Sequence, residues 1–546
     1  MALDHLEVTS EKAFANGFAF GEIGPYRLLE GKVHFTIDPI STYNNAITDL
    51  ELAPRNSKSQ IEFTSDFAML QPTNLHLGNK RILFDVLNRG RKTVLSGLNS
   101  APNLEDPTVT LESGNGFLMR HGYTIVWCGW QPDVPDIPGL MAMEAPQAMT
   151  PDGPVVGDIM GWFQVDHPTN ILKLSHKDHD PHPPLLTDDP SATLMVRDHP
   201  NTPLEVIDRN LWSFVSEEDK LMEPQPNHIF MPSGFEPGKI YQLVYKTQGS
   251  KVVGLGFAAV RDVVSFLKYT DLEAGNPCGD TIEYAFAFGR SQSGRFLRQM
   301  IHLGLNNDEE GRIALVGIMA LVAGAMRGEF NLRFGQPSKD IFHIVPEMFP
   351  CTDTEQTDPI TGKTGSLIGH LEQKGQVPKI MFINTSAEYW RGDAALIHTD
   401  INSMVDAEES EWVRRYHFSG TQHGSGIFPP QMLRADGLQG QLPFNAINYD
   451  VLTRAALVNL DAWVTNNIPP PPSSHPNIKN GTAVESLSLL QKLSRLPGVK
   501  VPTLINKSLR LDYGPEVNLG KLTVLPPIEQ EQYPALVSDL DSDCNE

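Results

Sequence analysis

The chain has 546 residues, of which 40% are apolar and 20% charged, a composition typical of a globular protein with a sizeable core. Its 43 basic and 66 acidic side chains give a net charge of −23. This charge argues against nucleic acid or an anionic membrane surface as a partner, because both require a basic face. No basic and apolar leader opens the chain, and the longest apolar run, residues 313–326, is too short to cross a bilayer. We therefore expect a cytoplasmic protein, unless a leader was removed.

The first 130 residues have the pattern of β-strands. Lys32–Ile37 and Gln60–Leu70 alternate apolar and polar side chains with period two, which predicts antiparallel strands with one exposed face. Arg81–Gly90 and Gly122–Trp130 are more continuously apolar, as expected of central strands that are covered on both faces. We assign residues 1–130 to the first strands of a core domain.

Residues 131–248 are rich in proline, histidine and aspartate and contain short β-like runs, which predicts an inserted β-rich subdomain or lid. Within them, His176–His182 contains three histidines and two aspartates that could hold a metal. Nothing in their spacing fixes a ligand geometry, so a solvated loop is the favoured interpretation. The four cysteines are widely spaced, without a C-x-x-C pair, and indicate neither a disulfide framework nor a zinc site. We predict no metal and no cofactor.

Helical periodicity returns at Gly256–Leu267. Its opening, with Gly254 and Gly256, imitates a dinucleotide-binding fingerprint, but the segment after it leads directly into a serine-containing turn. A helix that packs closely on the sheet through its glycines is the favoured explanation.

The central motif of the chain is the segment from Ile282 to Leu303. It begins as an apolar strand, turns sharply at Gly289-Arg290-Ser291-Gln292-Ser293-Gly294, and continues as an amphipathic helix. A strand, a tight turn with a central serine and a helix form the nucleophile elbow of α/β-hydrolases. The usual second glycine is replaced by Ser293, which is nearly as small. Ser291 is the predicted nucleophile, because centring the motif on Ser293 would put Arg295 where only a small residue fits.

The remaining segments complete an alternating pattern. Strands are predicted at 378–385 and 413–418, and a helix at 449–464. We assign residues 249–470 to the remainder of the core and 471–546 to a C-terminal extension, whose last residues, 539–546, are expected to be disordered.

Five motifs occur in an order that resembles a family of large α/β-hydrolase domains. They are Asn88-Arg89-Gly90, the stretch 254–262, the Ser-Gln-Ser-Gly elbow, Glu388-Tyr389-Trp390 and Gly420-Thr421-Gln422-His423-Gly424. The resemblance covers residues 15–470. It implies an α/β-hydrolase fold, with a mostly parallel central sheet and helices on both faces, and serine hydrolase chemistry. The family is mostly uncharacterised, so the resemblance implies little about the substrate.

A serine hydroxyl needs an imidazole as base and a carboxylate that orients the imidazole, in the chain order Ser, acid, His in this fold. His423 follows a late strand in a glycine-flanked turn and is the favoured base over His398 and His417. Glu388 follows the strand 378–385 and is the favoured acid. The rivals Asp393 and Asp400 lie further along the chain and are expected to be solvated.

The backbone N–H of Gln292 and that of Arg89 or Gly90 are the predicted oxyanion donors, since the fold places donors after the nucleophile and after the third central strand. Trp130 and Trp390 are candidates for an apolar substrate pocket, Arg290 or Arg295 for binding one carboxylate, and Trp162, Phe163 and Trp212 of the insertion for a lid. The predicted reaction is metal-independent hydrolysis of a small-molecule carboxylic ester or lactone. Two alternatives stay open: a non-catalytic ligand- or partner-binding protein, and a lyase, isomerase or acyltransferase with the same pocket.

Overall fold

The computed structural model describes residues 2–102, 106–175, 179–200, 202–216, 226–340, 348–433 and 439–546. Ten strands form a central sheet, numbered in chain order: β1 (Leu3–Ala13), β2 (Tyr26–Ile37), β3 (Ile61–Pro72), β4 (Arg81–Asp85), β5 (Thr124–Cys128), β6 (Met143–Glu144), β7 (Tyr284–Arg290), β8 (Gly317–Leu321), β9 (Lys379–Thr385) and β10 (Val413–Phe418).

The strand order in the sheet is β1-β2-β3-β5-β4-β7-β8-β9-β10, with β6 paired to β3. The pairs from β5 through β10 are all parallel, whereas β1, β2, β3 and β5 pair antiparallel. The sheet is therefore mixed and mostly parallel. Parallel strands all end at the same edge, so the turns that follow β4, β7, β9 and β10 lie near one another.

Eight α-helices lie in the described part of the chain: α1 (Val94–Asn99), α2 (Phe117–Arg120), α3 (Leu255–Tyr269), α4 (Gln292–His302), α5 (Gly369–Gln373), α6 (Ser386–Arg391), α7 (Asp450–Asn466) and α8 (Ser486–Leu493). Helix α4 packs on β7 and β8, and α7 packs on β8 and β9. No helix in these described ranges is long and apolar enough to cross a membrane.

The glycines that open α3 serve packing. A Cβ atom on Gly256 would lie 2.3 Å from the carbonyl oxygen of Trp130, just after β5. Only glycine permits this approach of helix to strand, which accounts for the motif without a bound phosphate.

The insertion forms sheets of its own. One has the order Glu205–Ile207, Thr193–Arg197, Ile240–Gln248, Val156–Gln164; the second has the order Thr169–Lys173, His228–Phe235, Ser213–Val215; and a hairpin joins Met149–Thr150 to Gly153–Pro154. The short strand β6 lies within the predicted insertion but belongs to the central sheet.

The aromatic side chains proposed for a lid pack on other parts of the protein, and Phe163 is partly buried against the main core. Trp212 is buried against Phe214, with the Arg209 guanidinium 4.1 Å above its ring. Trp162 packs on a small cluster that includes Tyr513 of the C-terminal extension. Residues 176–178 of the histidine cluster lie outside the described residues, and the described residues contain no group of three or more potential metal ligands.

The C-terminal extension packs behind α6. Within it, Ala483–Glu485 pairs with Leu536–Ser538, and Leu509–Asp512 pairs with Ile528–Gln532. Outside the extension, a hairpin joins Gln356–Thr357 to Thr364–Gly365. The last residues, expected to be disordered, form a turn at 541–545. The final residue, Glu546, accepts a hydrogen bond from the Ser419 hydroxyl at its main-chain oxygen. The strand Leu536–Ser538 packs on α6, so the extension contacts the helix that carries Glu388.

Candidate functional site

The turn between β7 and α4 holds Ser291 in a strained conformation. Ser291 has φ 60° and ψ −115°, a combination that a non-glycine residue rarely adopts. Its N–H donates to the carbonyl of Leu321 at 2.9 Å, and its own carbonyl accepts from the N–H of Arg295 at 2.9 Å. The serine is thereby fixed between the end of the strand and the first turn of the helix.

Small neighbours make this turn possible. A Cβ atom on Gly289 would lie 2.4 Å from the carbonyl oxygen of Ser293, and one on Gly294 would lie 2.9 Å from that of Leu321. Ser293, where glycine is usual, is fully buried and donates its hydroxyl to the carbonyl of Leu87 at 3.0 Å. The departure from the usual motif is therefore accommodated by one buried hydrogen bond.

Three side chains from three strand ends form a continuous hydrogen-bonded array. His423 Nε2 lies 2.8 Å from Ser291 Oγ, and His423 Nδ1 lies 2.6 Å from Glu388 Oε1. A carboxylate can only accept, so the ring proton belongs on Nδ1 and Nε2 is free to accept from the serine hydroxyl. The geometry suits removal of a proton from Ser291.

Glu388 is held at the start of α6. Its Oε2 accepts from Thr385 N at 2.8 Å and from Thr385 Oγ1 at 2.7 Å, and Thr385 and Glu388 together form a capping box. The side chain is 1% exposed. Burial alone would raise the pKa of this carboxyl, but the hydrogen bond and charge of His423 outweigh it and lower the pKa to about 2. Glu388 is therefore ionised at neutral pH.

The rival acids have other partners. Asp393 is buried, not solvated as expected: it pairs with Arg391 and accepts from Ala325 N at 2.8 Å. Asp400 accepts backbone N–H groups of its own loop, including that of Met404 at 2.6 Å.

The rival histidines lie beside Tyr389 on α6. His398 Nε2 is 2.9 Å from the Tyr389 hydroxyl, and the rings of Tyr389 and His417 are 4.4 Å apart. Burial lowers the pKa of His417 to about 4, so it is neutral at physiological pH. Neither ring is bonded to Ser291.

The loop that presents His423 is held by residues that sequence reasoning did not identify. Tyr449 donates its hydroxyl to the carbonyl of His423 at 2.7 Å and accepts from Arg290 Nη2 at 2.9 Å. Arg290 also contacts Ser425 Oγ at 3.3 Å. Arg290, a candidate for the substrate pocket, thus has its guanidinium occupied in bracing this loop against the elbow.

The candidate oxyanion donors lie at the start of α4 and in the loop after β4. As the first residue of α4, Gln292 has an N–H with no acceptor in a preceding turn. Arg89 and Gly90 both have positive φ, 51° and 76°. The N–H of Arg89 donates to Gln292 Oε1 at 3.0 Å and is therefore already engaged. The N–H of Gly90 makes no hydrogen bond with any described residue, so Gly90 is the candidate that remains free to donate.

Asp85 fixes the far end of this loop. It accepts from Thr93 N, Val94 N and Trp127 Nε1, all at 2.7–2.8 Å. No local sequence motif predicts that Asp85 holds this loop, because its donors come from a later part of the loop and from a neighbouring strand.

The two tryptophans proposed for the pocket differ in position. Trp130 is 1% exposed, donates to the carbonyl of Leu87 and packs on Phe296, so it is a core residue. Trp390 is partly buried against the C-terminal extension.

Exposed apolar side chains occur just after His423, where Ile427 and Phe428 are largely exposed. A cavity of about 350 Å³ lined by Thr42, Tyr43, Lys374 and Gln376 shares no residue with the array.

Comparison with known proteins gives one family match, over part of the chain. None of the curated proteins compared with this sequence matches it. The family model described as "Alpha/beta hydrolase domain" matches residues 212–514, more than half of the chain. That match begins inside the insertion, includes all three residues of the array and extends past Pro472 into the C-terminal extension. The chain therefore belongs to the alpha/beta hydrolase domain family.

Proposed function

We propose that this protein is a serine hydrolase that cleaves a carboxylic ester or lactone through an acyl-enzyme on Ser291. The single observation that supports the proposal is the array Ser291–His423–Glu388 at a strained strand-to-helix turn. A strained serine, an imidazole and a buried carboxylate, all within hydrogen-bond distance, are what nucleophilic acyl transfer requires.

The first half-reaction transfers the acyl group to the enzyme. Ser291 Oγ attacks the carbonyl carbon while its proton moves to His423 Nε2, and the carbonyl oxygen becomes an oxyanion. The N–H groups of Gln292 and Gly90 are the proposed donors to that oxyanion. When the tetrahedral intermediate collapses, the C–O bond to the leaving group breaks and His423 gives its proton to the departing oxygen.

The second half-reaction regenerates the enzyme. Water attacks the acyl-enzyme as His423 Nε2 takes a proton from it, and collapse of the second intermediate returns that proton to Ser291 Oγ. One ester and one water become one acid and one alcohol. Glu388 stays ionised throughout and stabilises the imidazolium formed in each half.

An ester or lactone is favoured over a peptide by the surroundings of the array. The exposed side chains of Ile427 and Phe428 offer apolar contact to an acyl or alcohol group, and no extended groove is needed for a compact substrate. We therefore expect a substrate with a substantial apolar part.

The proposal is tested with a fluorophosphonate, which reacts only with an activated serine, followed by mass spectrometry of the labelled peptide. We expect label on Ser291, and none in Ser291→Ala. The matched control is Ser293→Gly, which restores the usual elbow pattern and should still be labelled. A wild-type protein that stays unlabelled would favour the non-catalytic alternative, and label that persists in Ser291→Ala would refute the assignment of the nucleophile.

The type of reaction is tested separately with a panel of esters and lactones followed by pH-stat. Release of one acid per substrate, abolished in Ser291→Ala, is expected. Transfer of the acyl group to an added alcohol in preference to water would instead favour the acyltransferase alternative.

A further inference from the structure

Arg295 is a buried cation without a hydrogen-bonded partner among the described residues. It lies on α4, one turn beyond Ser291, and is 6% exposed. Its backbone N–H donates to the Ser291 carbonyl, but its guanidinium makes no hydrogen bond or ion pair with any residue that the structure describes. Burying a charge in this way costs several kcal/mol unless a partner arrives.

The neighbouring arginines are all engaged. Arg89 binds Asp340 at 2.5 Å, Arg391 binds Asp393 at 2.6 Å, and Arg290 binds Tyr449 at 2.9 Å. Further along α4, Arg298 Nη2 binds the carbonyls of Ala325 and Cys351. Two other nitrogens of Arg298 have no partner, but Arg295 differs from all four because its whole guanidinium lacks one among the described residues.

The charges that act on Arg295 locate it at the functional edge of the sheet. They are Asp340, Arg391, Arg89 and Asp393. Arg89 belongs to the loop with Gly90, and Arg391 ends the helix that carries Glu388. The two carboxylates are already paired with Arg89 and Arg391, so they compensate the positive charge of Arg295 only in part.

The direction of the side chain is set by the helix. Side chains on an α-helix lean toward its N-terminus, and α4 begins immediately after Ser291. Burial lowers the pKa of Arg295 to about 9, which still leaves the guanidinium charged at neutral pH. One helical turn separates it from the nucleophile, a distance of about 5 Å along the axis.

We propose that Arg295 binds a carboxylate on the substrate, so that the ester cleaved at Ser291 carries one carboxylate a few carbon atoms from the scissile carbonyl. Half-esters of short dicarboxylic acids have this chemistry. The inference rests on the proposed function, because it assigns the substrate class of the same site. A planar guanidinium suits bidentate recognition of a carboxylate.

The net charge of −23 does not oppose this assignment. Charges on the surface are screened over about 8 Å at physiological ionic strength, whereas a buried guanidinium acts at contact distance. A substrate with one carboxylate is therefore compatible with an acidic protein, and a polyanion is not.

The test compares two esters of similar length, one charged and one neutral: ethyl hydrogen glutarate and ethyl pentanoate, followed by pH-stat. We expect the wild type to prefer the charged ester by at least about tenfold in kcat/KM. A charge-assisted hydrogen bond contributes about 1.5–3 kcal/mol, so Arg295→Gln should lower kcat/KM for the charged ester by about 10- to 100-fold. The neutral ester should change less than about threefold.

Two further variants separate charge from position. Arg295→Lys keeps the charge and should retain part of the preference. Arg495→Gln removes one positive charge from the exposed surface and should change neither ester. Equal loss on both esters in Arg295→Gln, or no preference in the wild type, would overturn the inference. If Arg295→Gln does not fold, as judged by circular dichroism, the wild-type preference and Arg295→Lys decide.

A binding measurement distinguishes this failure from failure of the proposed function. Calorimetry of glutarate with Ser291→Ala needs no turnover, and binding should disappear when Arg295→Gln is added. Binding that depends on Arg295, in a protein whose serine is not labelled by fluorophosphonate, would uphold the anion site and reject the hydrolase. A labelled serine with no glutarate binding and no preference for the charged ester would do the reverse.

Discussion

Replacing Glu388 by glutamine tests the role of the carboxylate through the hydrogen bonds around it. Thr385 offers two donors to Oε2, at 2.8 and 2.7 Å. In Glu388→Gln the amide oxygen takes that position and the NH₂ group faces His423 Nδ1. Nδ1 must then accept, so the ring proton moves to Nε2, which can no longer take the proton of Ser291.

The size of the effect follows from the cost of turning the amide around. The productive orientation leaves both donors of Thr385 without an acceptor, at about 1–3 kcal/mol for each buried donor. The total of about 2–6 kcal/mol corresponds to a loss of about 30- to 10⁴-fold in rate. We expect a loss of this size in the second-order rate constant for fluorophosphonate labelling of Ser291 at pH 7.5.

A second variant checks this explanation. Adding Thr385→Val to Glu388→Gln removes one of the two donors, so the amide turns more easily and part of the labelling rate should return. Circular dichroism of each variant establishes that it is folded. A rate for Glu388→Gln within tenfold of wild type, or a double variant no faster than the single one, would refute the reasoning.

Three other predictions concern residues around the site. Gly256→Ala should destabilise the protein by about 1–3 kcal/mol in urea unfolding, because the new Cβ atom would lie 2.3 Å from the backbone oxygen of Trp130. The control Gly365→Ala should be neutral, since its Cβ atom would make only an ordinary contact at 3.8 Å. Tyr449→Phe should slow labelling of Ser291 about fivefold, because the His423 loop loses a hydrogen bond of about 1 kcal/mol. An unchanged rate would show that the loop is held without this hydrogen bond. The pKa of Glu388 lies below the ordinary 4.5, at about 2, so its ionisation favours the folded state by about 3 kcal/mol at neutral pH. The difference in unfolding free energy between wild type and Glu388→Gln should therefore shrink as pH falls from 4.5 to 2. A difference that stays constant over this range would contradict the lowered pKa.

The parts of the site that sequence predicted are those encoded locally. The elbow is a run of consecutive residues whose small side chains and strand-to-helix switch have a single steric explanation. The strand 413–418 was predicted within the bounds of β10, and the turn after it contains His423. The family match shows the alpha/beta hydrolase domain, whereas the chemical roles of Ser291, His423 and Glu388 stay predictions until they are tested.

The parts that sequence could not supply depend on contacts between distant segments. Strand β1 was missed because most of its side chains are exposed and its sequence, with few apolar residues, gives a weak periodic signal. Asp393 was expected in solvent, but it is buried and pairs with Arg391, a half-buried arginine two residues earlier. Trp130 was proposed for the pocket because it ends a strand, yet its ring turns into the core toward Phe296. For Trp130 the deciding partner is a neighbour in space that no local pattern reveals.

The contacts that hold His423 in place differ from those that hold Ser291 and Glu388. Ser291 and Glu388 are each fixed by residues of their own turn, through backbone strain in one case and the Thr385 capping box in the other. His423 lies in a longer loop and depends on Tyr449 of α7, which in turn is bonded to Arg290 beside the nucleophile. A disturbance of α7 therefore reaches the base and the nucleophile together, whereas the acid keeps its place. Because His423 also lowers the pKa of Glu388, such a disturbance should impair proton transfer from Ser291 and raise that pKa together, although Glu388 keeps its position.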